Sequence, residues 1–281
     1  MKVILSRKGF DSENGGYPSP ILPNRQMISL PIPDQEDDIR YSEVKAGDLT
    51  CYDLMRDLNP RIKSGNERLV VDEDTKCHLD PDIYKNAMGR EPNWKPLFGQ
   101  LNAAQGHLRK QEVGKDDLFL FFGWFWKTKY DAGRLVFDPV ERDLHAFFGY
   151  LQIGEIKKVD QGFDVPKWMI RHPHTKDERK RKNNKTNTIY VARDNLSWNK
   201  SLPGAGRFMF NDKLVLTKKG LSKSKWDLPD WFKEAEISYH KHPWKDGYFQ
   251  SADKGQEFVI KDNEKVEEWA RNKIEGSQID Y

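Results

Sequence analysis

Hydrophobic residues along this chain occur in short runs, and polar stretches rich in glycine and proline separate them. Residues 118–126 are almost continuously apolar and aromatic, and residues 144–156 alternate in their later half. Runs of this kind predict buried strands. The polar stretch between them, which contains Asp131-Ala132-Gly133, predicts that the two strands form a long antiparallel hairpin. Further strands are predicted at residues 3–5, 69–71, 188–192 and 214–217.

Helical spacing of apolar residues is confined to a few segments. Residues 49–58 have this spacing and stop before Pro60, which disfavours helical geometry in the residue ahead of it. Residues 102–110 predict a second helix, and residues 258–274 predict a C-terminal amphipathic helix. The acidic stretch 34–46 is expected to be exposed. We therefore predict an α+β fold with a mixed or barrel-like β-sheet core, flanking helices and long loops.

Domain organisation is predicted to be simple. The chain has 281 residues and no internal repeat, and a basic run at residues 171–185 is followed by further predicted strands. Residues 1–281 are therefore interpreted as one elaborated domain, in which 171–185 is a basic loop.

Composition limits the classes of function. A formal net charge of +3 is too balanced to indicate nucleic-acid binding, which is usually signalled by a clustered basic face. The two cysteines, Cys51 and Cys77, lie far apart without CxxC spacing, so neither a disulfide framework nor a cysteine-rich zinc site is indicated. Apolar runs of membrane-spanning length and a signal peptide are both lacking, so a cytoplasmic protein without a membrane partner is expected.

The loop after the first strand is a candidate phosphate-binding segment. Backbone N–H groups of a glycine-rich loop can surround an anion, with a lysine or arginine as counter-charge. The alternative is a tight turn, in which glycine, asparagine, serine and proline are expected anyway. Asp11 in the same loop is a candidate catalytic carboxylate. The candidate nucleotide- or phosphate-binding residues of the loop are Ser6, Arg7, Lys8, Gly15 and Gly16.

The segment Cys77-His78-Leu79-Asp80-Pro81-Asp82 is a candidate catalytic or metal site. In an extended chain His78, Asp80 and Asp82 share one face. An imidazole with two carboxylates suits a divalent metal such as Mn or Fe, and His78 with Asp80 also suits proton transfer. The alternative is an Asp-Pro turn before a helix that the carboxylate of Asp82 caps.

Two further groups of polar side chains are candidates. Gln105 lies on the predicted helix 102–110, where side-chain amides can read the edge of a nucleobase, and His107 follows it. The alternative is a packed helix with a satisfied buried glutamine. His172 and His174 flank Pro173 and can supply two metal ligands, although neutral loop histidines are commoner.

The basic run can contact a nucleic-acid backbone, which contributes affinity without sequence information. Aromatic side chains near it, such as Trp168, can stack on bases. The alternative is a solvated loop. The candidate backbone contacts are Arg171, Lys176, Arg179, Lys180, Arg181 and Lys182.

Several motifs together resemble one family. They are SRKGFDSENGGYPSP, CHLDPDIY, LFGQLNAAQGHL, DLFLFFGWFW, HAFFGYLQIGEI, the two histidines of HPH, LPGAGRF, WDLPDWF and GQEFV. The combination, which spans Val3 to about Trp269, is similar to the third of the nucleotide modification associated domain families, encoded by bacteria and phages near genes for DNA base hypermodification. Departures are Glu13 in the first loop, the long basic insertion at 171–185 and Lys115-Asp116-Asp117 at a turn.

A second resemblance rests on two strands. The turn from Gly114 to Asp117, the aromatic strand after it and Gly149-Tyr150-Leu151-Gln152-Ile153-Gly154 look like the β-barrel of PUA-like domains of the ASCH and EVE type. That resemblance implies binding of modified bases or RNA.

The family resemblance implies a component of a DNA base-modification system that binds and processes a nucleotide or a modified base. As an enzyme it would be a nucleotide- or base-directed transferase or hydrolase, with a divalent metal as a possible cofactor. Alternatives are a non-catalytic reader of modified nucleic acid and a scaffold for partner modifying enzymes. An enzyme should collect Lys8, Asp11, His78 and Asp80 in one cleft, whereas a reader should scatter them and show an aromatic-lined concavity beside 171–185.

Overall fold

A computed structural model describes residues 1–160, 162–176, 184–252 and 257–280, without the side chain of Lys176. The strands are β1 (Val3–Arg7), β2 (Ser19–Ile21), β3 (Ile32–Pro33), β4 (Lys45–Ala46), β5 (Leu49–Thr50), β6 (Arg61–Ser64), β7 (Glu67–Val70), β8 (Cys77–His78), β9 (Leu97–Gln100), β10 (Leu118–Asp131), β11 (Arg134–Phe137), β12 (Leu144–Lys158), β13 (Thr188–Ala192), β14 (Ala205–Phe208), β15 (Lys225–Trp226), β16 (Trp244–Lys245), β17 (Tyr248–Gln250), β18 (Glu257–Ile260) and β19 (Ile279–Asp280).

Within the described ranges of the chain the helices are few and short. The α-helices are α1 (Cys51–Leu58), α2 (Asn102–Lys110), α3 (Pro173–Lys176) and α4 (Glu264–Glu275), and single 3₁₀ turns lie at Lys85–Ala87, Lys167–Met169, Asp212–Leu214 and Asp230–Glu234. The start of α1 is fixed by local sequence, because Thr50 and Asp53 form a reciprocal capping box. Among the described residues, none of the helices combines the length and apolar character that crossing a membrane requires.

The main sheet is mixed and open, with the order β18-β1-β10-β12-β13-β9. Strand β1 is parallel to β10, whereas β10 and β12, β12 and β13, and β13 and β9 are antiparallel. Strand β2 also pairs with β10, and β14 pairs with β12. This arrangement confirms the α+β class and the mixed sheet.

The two aromatic runs form the centre of the sheet, as predicted. Phe119, Phe121 and Phe147 are fully buried, because both faces of β10 and β12 are covered. The two strands pair antiparallel from Leu118 opposite Gln152, with a register shift between Phe121 and Phe122. The turn at residues 132–133 joins β10 to β11 rather than directly to β12. The central pair is therefore a wide hairpin with a smaller one inserted in it.

One predicted helix boundary and one predicted strand are wrong. The C-terminal helix begins at Glu264 instead of residue 258, because residues 257–260 form β18 beside β1. The side chain of Asn263 caps that helix by accepting a hydrogen bond from the backbone N–H of Val266. The predicted strand 214–217 is reduced to isolated bridges at Val215 and Thr217.

A second hydrophobic cluster packs around α1 and contributes to the site below. It includes Tyr41, Leu54 and Cys77, all of which are almost completely buried. The expected exposure of the acidic stretch 34–46 is wrong for part of it, because Asp37 is 2% exposed. Strand β3 pairs with β8 and places Ile32 opposite His78. Asp37, which is buried, contacts the half-buried His78.

Candidate functional site

A polar cleft with a volume of about 270 Å³ lies where four parts of the fold meet. They are the carboxyl end of β1 with the loop after it, the β3–β8 pair with the following Asp80, the end of β9, and α3. The residues that line the cleft are Arg7, Lys8, Gly9, Asp11, Asn14, Ile32, Asp34, His78, Asp80, Gly99, Gln100, Leu101 and His174.

The cleft brings together residues from both candidate motifs of the sequence. Arg7, Lys8 and Asp11 come from the first loop, and His78 and Asp80 come from the CHLDPD segment. The two groups are about 70 positions apart in the chain, and the sheet brings them into one cavity.

Three of the lining side chains form a potential metal centre. His78, Asp80 and His174 each offer a ligand atom, and these atoms lie within 4.8 Å of one another. The two imidazole rings are 5.5 Å apart between centroids, and Nε2 of His174 lies 3.9 Å from Oδ2 of Asp80. Two imidazoles and one carboxylate are a common ligand set for Zn and for non-haem Fe(II).

Asp37 orients His78. Oδ2 of this buried carboxylate lies 2.7 Å from Nδ1 of the imidazole, which places the ring proton on Nδ1 and leaves Nε2 with its lone pair. Asp34, whose Oδ2 lies 3.9 Å from the same nitrogen, joins Asp37 and His78 in a second group of ligand-type residues. The close bond from His78 makes Asp37 an orienting partner of the imidazole.

His174 is oriented in the same way by an amide. Its Nδ1 lies 2.7 Å from Oδ1 of Asn187, and both residues are buried. Gly99 leaves the space that the imidazole occupies, since a Cβ at this position would lie 2.2 Å from Cδ2 of His174. Burial lowers the pKa of His174 to about 3, so that its imidazole is neutral and Nε2 can act as a ligand.

Asp80 is held with one oxygen toward the backbone. Its Oδ1 accepts a hydrogen bond of 2.8 Å from the N–H of Gly99, and Nε2 of His172 lies 3.3 Å from the same oxygen without an aligned hydrogen bond. Burial raises the pKa of Asp80, but the N–H of His172 beside Oδ1 outweighs burial and holds its pKa well below the usual range. The carboxylate is therefore ionised, with Oδ2 toward His174.

Lys8 brings positive charge to the cleft through a buried network. Its Nζ donates to Oε1 of Glu257 at 2.8 Å and lies 4.6 Å from the centroid of the Phe98 ring. The same Oε1 accepts hydrogen bonds from Ser6 and from Gln100. Ser6 is thus a partner of Glu257, whereas Lys8 and Gln100 also line the cleft.

The predicted anion-binding nest is not formed. Gly15 and Gly16 do have positive φ angles, of 85° and 82°. Their N–H groups, however, donate to the carbonyl oxygens of Lys63 and Asp11, so that they hold a tight turn. Oδ1 of Asp11 accepts from the N–H groups of the next residues in this turn, 13 and 14, at the rim of the cleft.

Asp82 is not among the residues that line the cleft. Arg90 binds its carboxylate with both terminal nitrogens, at 2.7 and 2.5 Å, and the N–H and carbonyl groups of Asp82 pair with Leu97. The prediction of a common face for the three residues 78, 80 and 82 was wrong, because the chain at Asp80-Pro81 does not continue as a regular strand.

The two candidates on α2 lie outside the residues that line the cleft. Oε1 of Gln105 accepts a hydrogen bond from the hydroxyl of Tyr190, which fits a satisfied buried glutamine. Nε2 of His107 lies 2.9 Å from Oγ of Ser238, and its ring packs on Tyr239. Both side chains therefore have structural partners in the fold.

The basic run is only partly described. Arg171 forms an ion pair of 2.8 Å with Glu43. Lys176 lies in α3, and its side chain is outside the described atoms. Arg179, Lys180, Arg181 and Lys182 lie outside the described residues.

Comparison with known protein families places this site in a context. The model of the family described as nucleotide modification associated domain 3 matches residues 2–261 of the 281. The chain belongs to the nucleotide modification associated domain 3 family. No curated protein and no solved structure matches it. Association with nucleotide modification is thus the context in which the cleft of this family member is interpreted.

In this member of the nucleotide modification associated domain 3 family, sequence reasoning missed the residues that orient the histidines of the cleft. His174 was recognisable from the HPH motif as a possible ligand, but its partnership with His78 was not. Asp37 and Asn187 carry no motif, and only their bonds to the two histidines reveal them.

Proposed function

We propose that this chain is a metal-dependent enzyme of a DNA base-modification system, which binds a nucleotide or a modified base of nucleic acid in the cleft and processes it there. One observation carries the proposal. His78, Asp80 and His174 present ligand atoms within 4.8 Å of one another, in a cleft that Arg7 and Lys8 also line. The partners are nucleotides or DNA and other enzymes of the same modification system.

Six of the residues that line the cleft have a role in this proposal. The two imidazoles and the carboxylate hold a divalent cation and leave coordination positions for water or substrate. Such a cation polarises a phosphoryl or carbonyl oxygen or lowers the pKa of a bound water, which suits a transferase or hydrolase reaction. Lys8 and Arg7 attract the phosphate of the substrate. Asp11, at the rim, is the carboxylate that we assign to proton transfer.

Two observations support an enzyme over the alternatives. A non-catalytic reader has no need for oriented metal ligands, whereas Asp37 and Asn187 fix the tautomers of both histidines. A scaffold has no need for a polar cleft at all. Both cysteines are buried and free, which fits the cytoplasmic setting that we propose.

The test is a search for products with a matched pair of variants. Wild-type protein loaded with Mn²⁺, Fe²⁺ or Zn²⁺ is incubated with each deoxynucleoside 5′-monophosphate and with DNA that carries modified bases, and products are followed by mass spectrometry. The expected result is a product that Asp80→Asn abolishes and that Asp164→Asn, a change of an exposed aspartate, leaves unchanged. Retention of modified DNA without any product, unaffected by Asp80→Asn, would support the reader instead.

A further inference from the structure

A second cavity, with a volume of about 240 Å³, lies beside the cleft and has aromatic walls. Trp94 and Trp168, both half-buried, line it together with the buried side chains of Leu97 and Met169. Pockets for drug-sized ligands span about 300–1,000 Å³, so this cavity suits a single small ring system. Flat heterocycles stack favourably on indole faces.

The two cavities are neighbours along the same chain segments. On β9, Leu97 lines the aromatic cavity and Gly99 lines the cleft. Alternate residues of a strand point to the same side, at a spacing of about 7 Å. Likewise, Asp82 and His172 line the aromatic cavity, whereas Asp80 and His174 line the cleft.

His172 connects the aromatic cavity to the proposed metal centre. It lines the aromatic cavity, and its Nε2 lies 3.3 Å from Oδ1 of Asp80. The N–H of residue 174 donates to Nδ1 of His172, so that the proton of His172 is on Nε2. This nitrogen is completely buried and has no aligned hydrogen-bond partner among the described residues. A ring in the aromatic cavity would thus lie one side chain away from a ligand of the centre.

The wall of the aromatic cavity also has a polar edge. Arg90 packs its guanidinium over Trp94, 4.1 Å from the ring centroid, and holds the carboxylate of Asp82. Its Nη2 also donates to the carbonyl oxygen of Tyr84, and its Nε donates to that of Lys85. One hydrogen on Nη1 has no partner among the described residues, and the carboxylate oxygens can accept further bonds.

A donor beside an acceptor matches the amide edge of a nucleobase. Guanine and thymine present a carbonyl oxygen next to a ring N–H, for which Nη1 of Arg90 and the carboxylate of Asp82 are complementary. Both side chains of the ion pair are less than one-tenth exposed, and four hydrogen bonds hold the guanidinium of Arg90 in place. The cavity therefore offers stacking faces and a fixed edge of hydrogen-bonding groups.

We propose that this aromatic cavity is a nucleobase subsite, which binds the base on Trp94 and Trp168 with its amide edge toward Asp82 and Arg90. The phosphate of the same nucleotide lies in the neighbouring cleft, near Lys8. This inference rests on the proposed function, since it names the part of the substrate that lies beside the metal centre.

The test compares a nucleotide with the same molecule without its base. Calorimetric titrations measure the affinity of dTMP, dGMP and deoxyribose 5-phosphate for wild type, Trp168→Leu, Trp168→Phe and the control Trp198→Leu, whose indole donates to Glu275 away from both cavities. Loss of base stacking in Trp168→Leu should weaken nucleotide binding about tenfold or more. Trp168→Phe should retain most of the affinity, and no variant should change the affinity of the sugar phosphate.

The possible failures are distinguishable. If Trp168→Leu and Trp94→Leu, both folded by circular dichroism, bind nucleotides as wild type does, the nucleobase subsite is wrong and the proposed function is untouched. Equal affinity of wild type for nucleotide and sugar phosphate would overturn the subsite in the same way. If wild type binds neither ligand, the proposed function is overturned as well. If Trp168→Leu does not fold, the same titrations are made with Trp94→Leu.

Discussion

Nδ1 of His174 lies 2.7 Å from Oδ1 of Asn187, and this bond decides which nitrogen of the imidazole is available in the cleft. The amide group of Asn187 donates in turn to the carbonyl oxygens of Val159 and of His174 itself, so that its own orientation is fixed. The proton on Nδ1 of His174 leaves the lone pair on Nε2, which faces Asp80.

Loss of this orienting bond should weaken metal binding without removing a ligand. Orienting partners of metal-bound histidines typically contribute about 10–100-fold to metal affinity. We therefore expect Asn187→Ala to lower the affinity for a divalent cation within that range, as measured by competition with a chromogenic chelator. Asn199→Ala, which changes a half-buried asparagine that donates to Glu275 away from the cleft, is the control. Unchanged affinity in folded Asn187→Ala would remove Asn187 from the site.

The glycine behind His174 offers a second test of the same ligand. A Cβ at Gly99 would collide with the imidazole, whereas Gly106 has open space around its Cα. Gly99→Ala should therefore displace His174 and reduce metal affinity at least tenfold, about 1.4 kcal/mol or more. Gly106→Ala, in the middle of α2, should keep full affinity and stabilise the protein slightly. If both variants bind metal equally, His174 is not a ligand.

The buried ion pair of Lys8 with Glu257 predicts a stability effect that is separate from catalysis. Glu257 is 1% exposed, and its Oε2 has no hydrogen-bond partner among the described residues. Removal of one partner from a buried pair costs about 3–5 kcal/mol, because it leaves an uncompensated charge. Urea unfolding should show such a loss in Lys8→Met, and Glu257→Gln in the same chain should restore much of it. Nucleotide affinity should stay low in both proteins, since the cation is gone.

His145 predicts how stability depends on pH. Burial, with the charges of Arg7 and Lys223, lowers its pKa to about 3, and Nδ1 of the imidazole accepts a hydrogen bond from Trp226. The unfolded chain has a histidine pKa of about 6.5 and takes up the proton first as pH falls. The stability that depends on neutral His145 is therefore complete above pH 6.5 and is lost progressively toward pH 3.

The measurement for His145 is the difference between two unfolding series. In His145→Asn the amide oxygen can still accept from Trp226, but the group does not titrate. The free energy of unfolding of wild type should fall more steeply than that of His145→Asn between pH 6.5 and 4, whereas His242→Asn, a change of an exposed histidine, should follow wild type. Parallel curves for wild type and His145→Asn would contradict the buried neutral state.

The centre of the fold was predictable, because its signal is local. The runs in β10 and β12 are long, apolar and rich in aromatic side chains, and such runs can only be buried. The start of α4 was missed because Phe258, Val259 and Ile260 fit an amphipathic helix as well as a strand, and their pairing with β1 decides between the two.

The candidate site was predictable only in part. His78 and Asp80 are close in sequence, and His172 and His174 stand out as a motif, so that each could be named. The sequence did not show which carboxylate accompanies the histidines, because that depends on the path of the chain after Asp80. There the carboxylate of Asp82 binds Arg90 instead. Asp37 lies in an acidic stretch that resembles solvated surface, and only tertiary packing buries it.

The central claim is that His78, Asp80 and His174 bind one divalent cation. The most direct measurement is the metal content of the purified protein by elemental analysis, for wild type, His174→Ala, Asp82→Asn and the control His240→Ala. We predict about one ion per chain in wild type, Asp82→Asn and His240→Ala, and none in His174→Ala. Equal metal content in wild type and folded His174→Ala, or loss of metal in folded Asp82→Asn, would contradict this account.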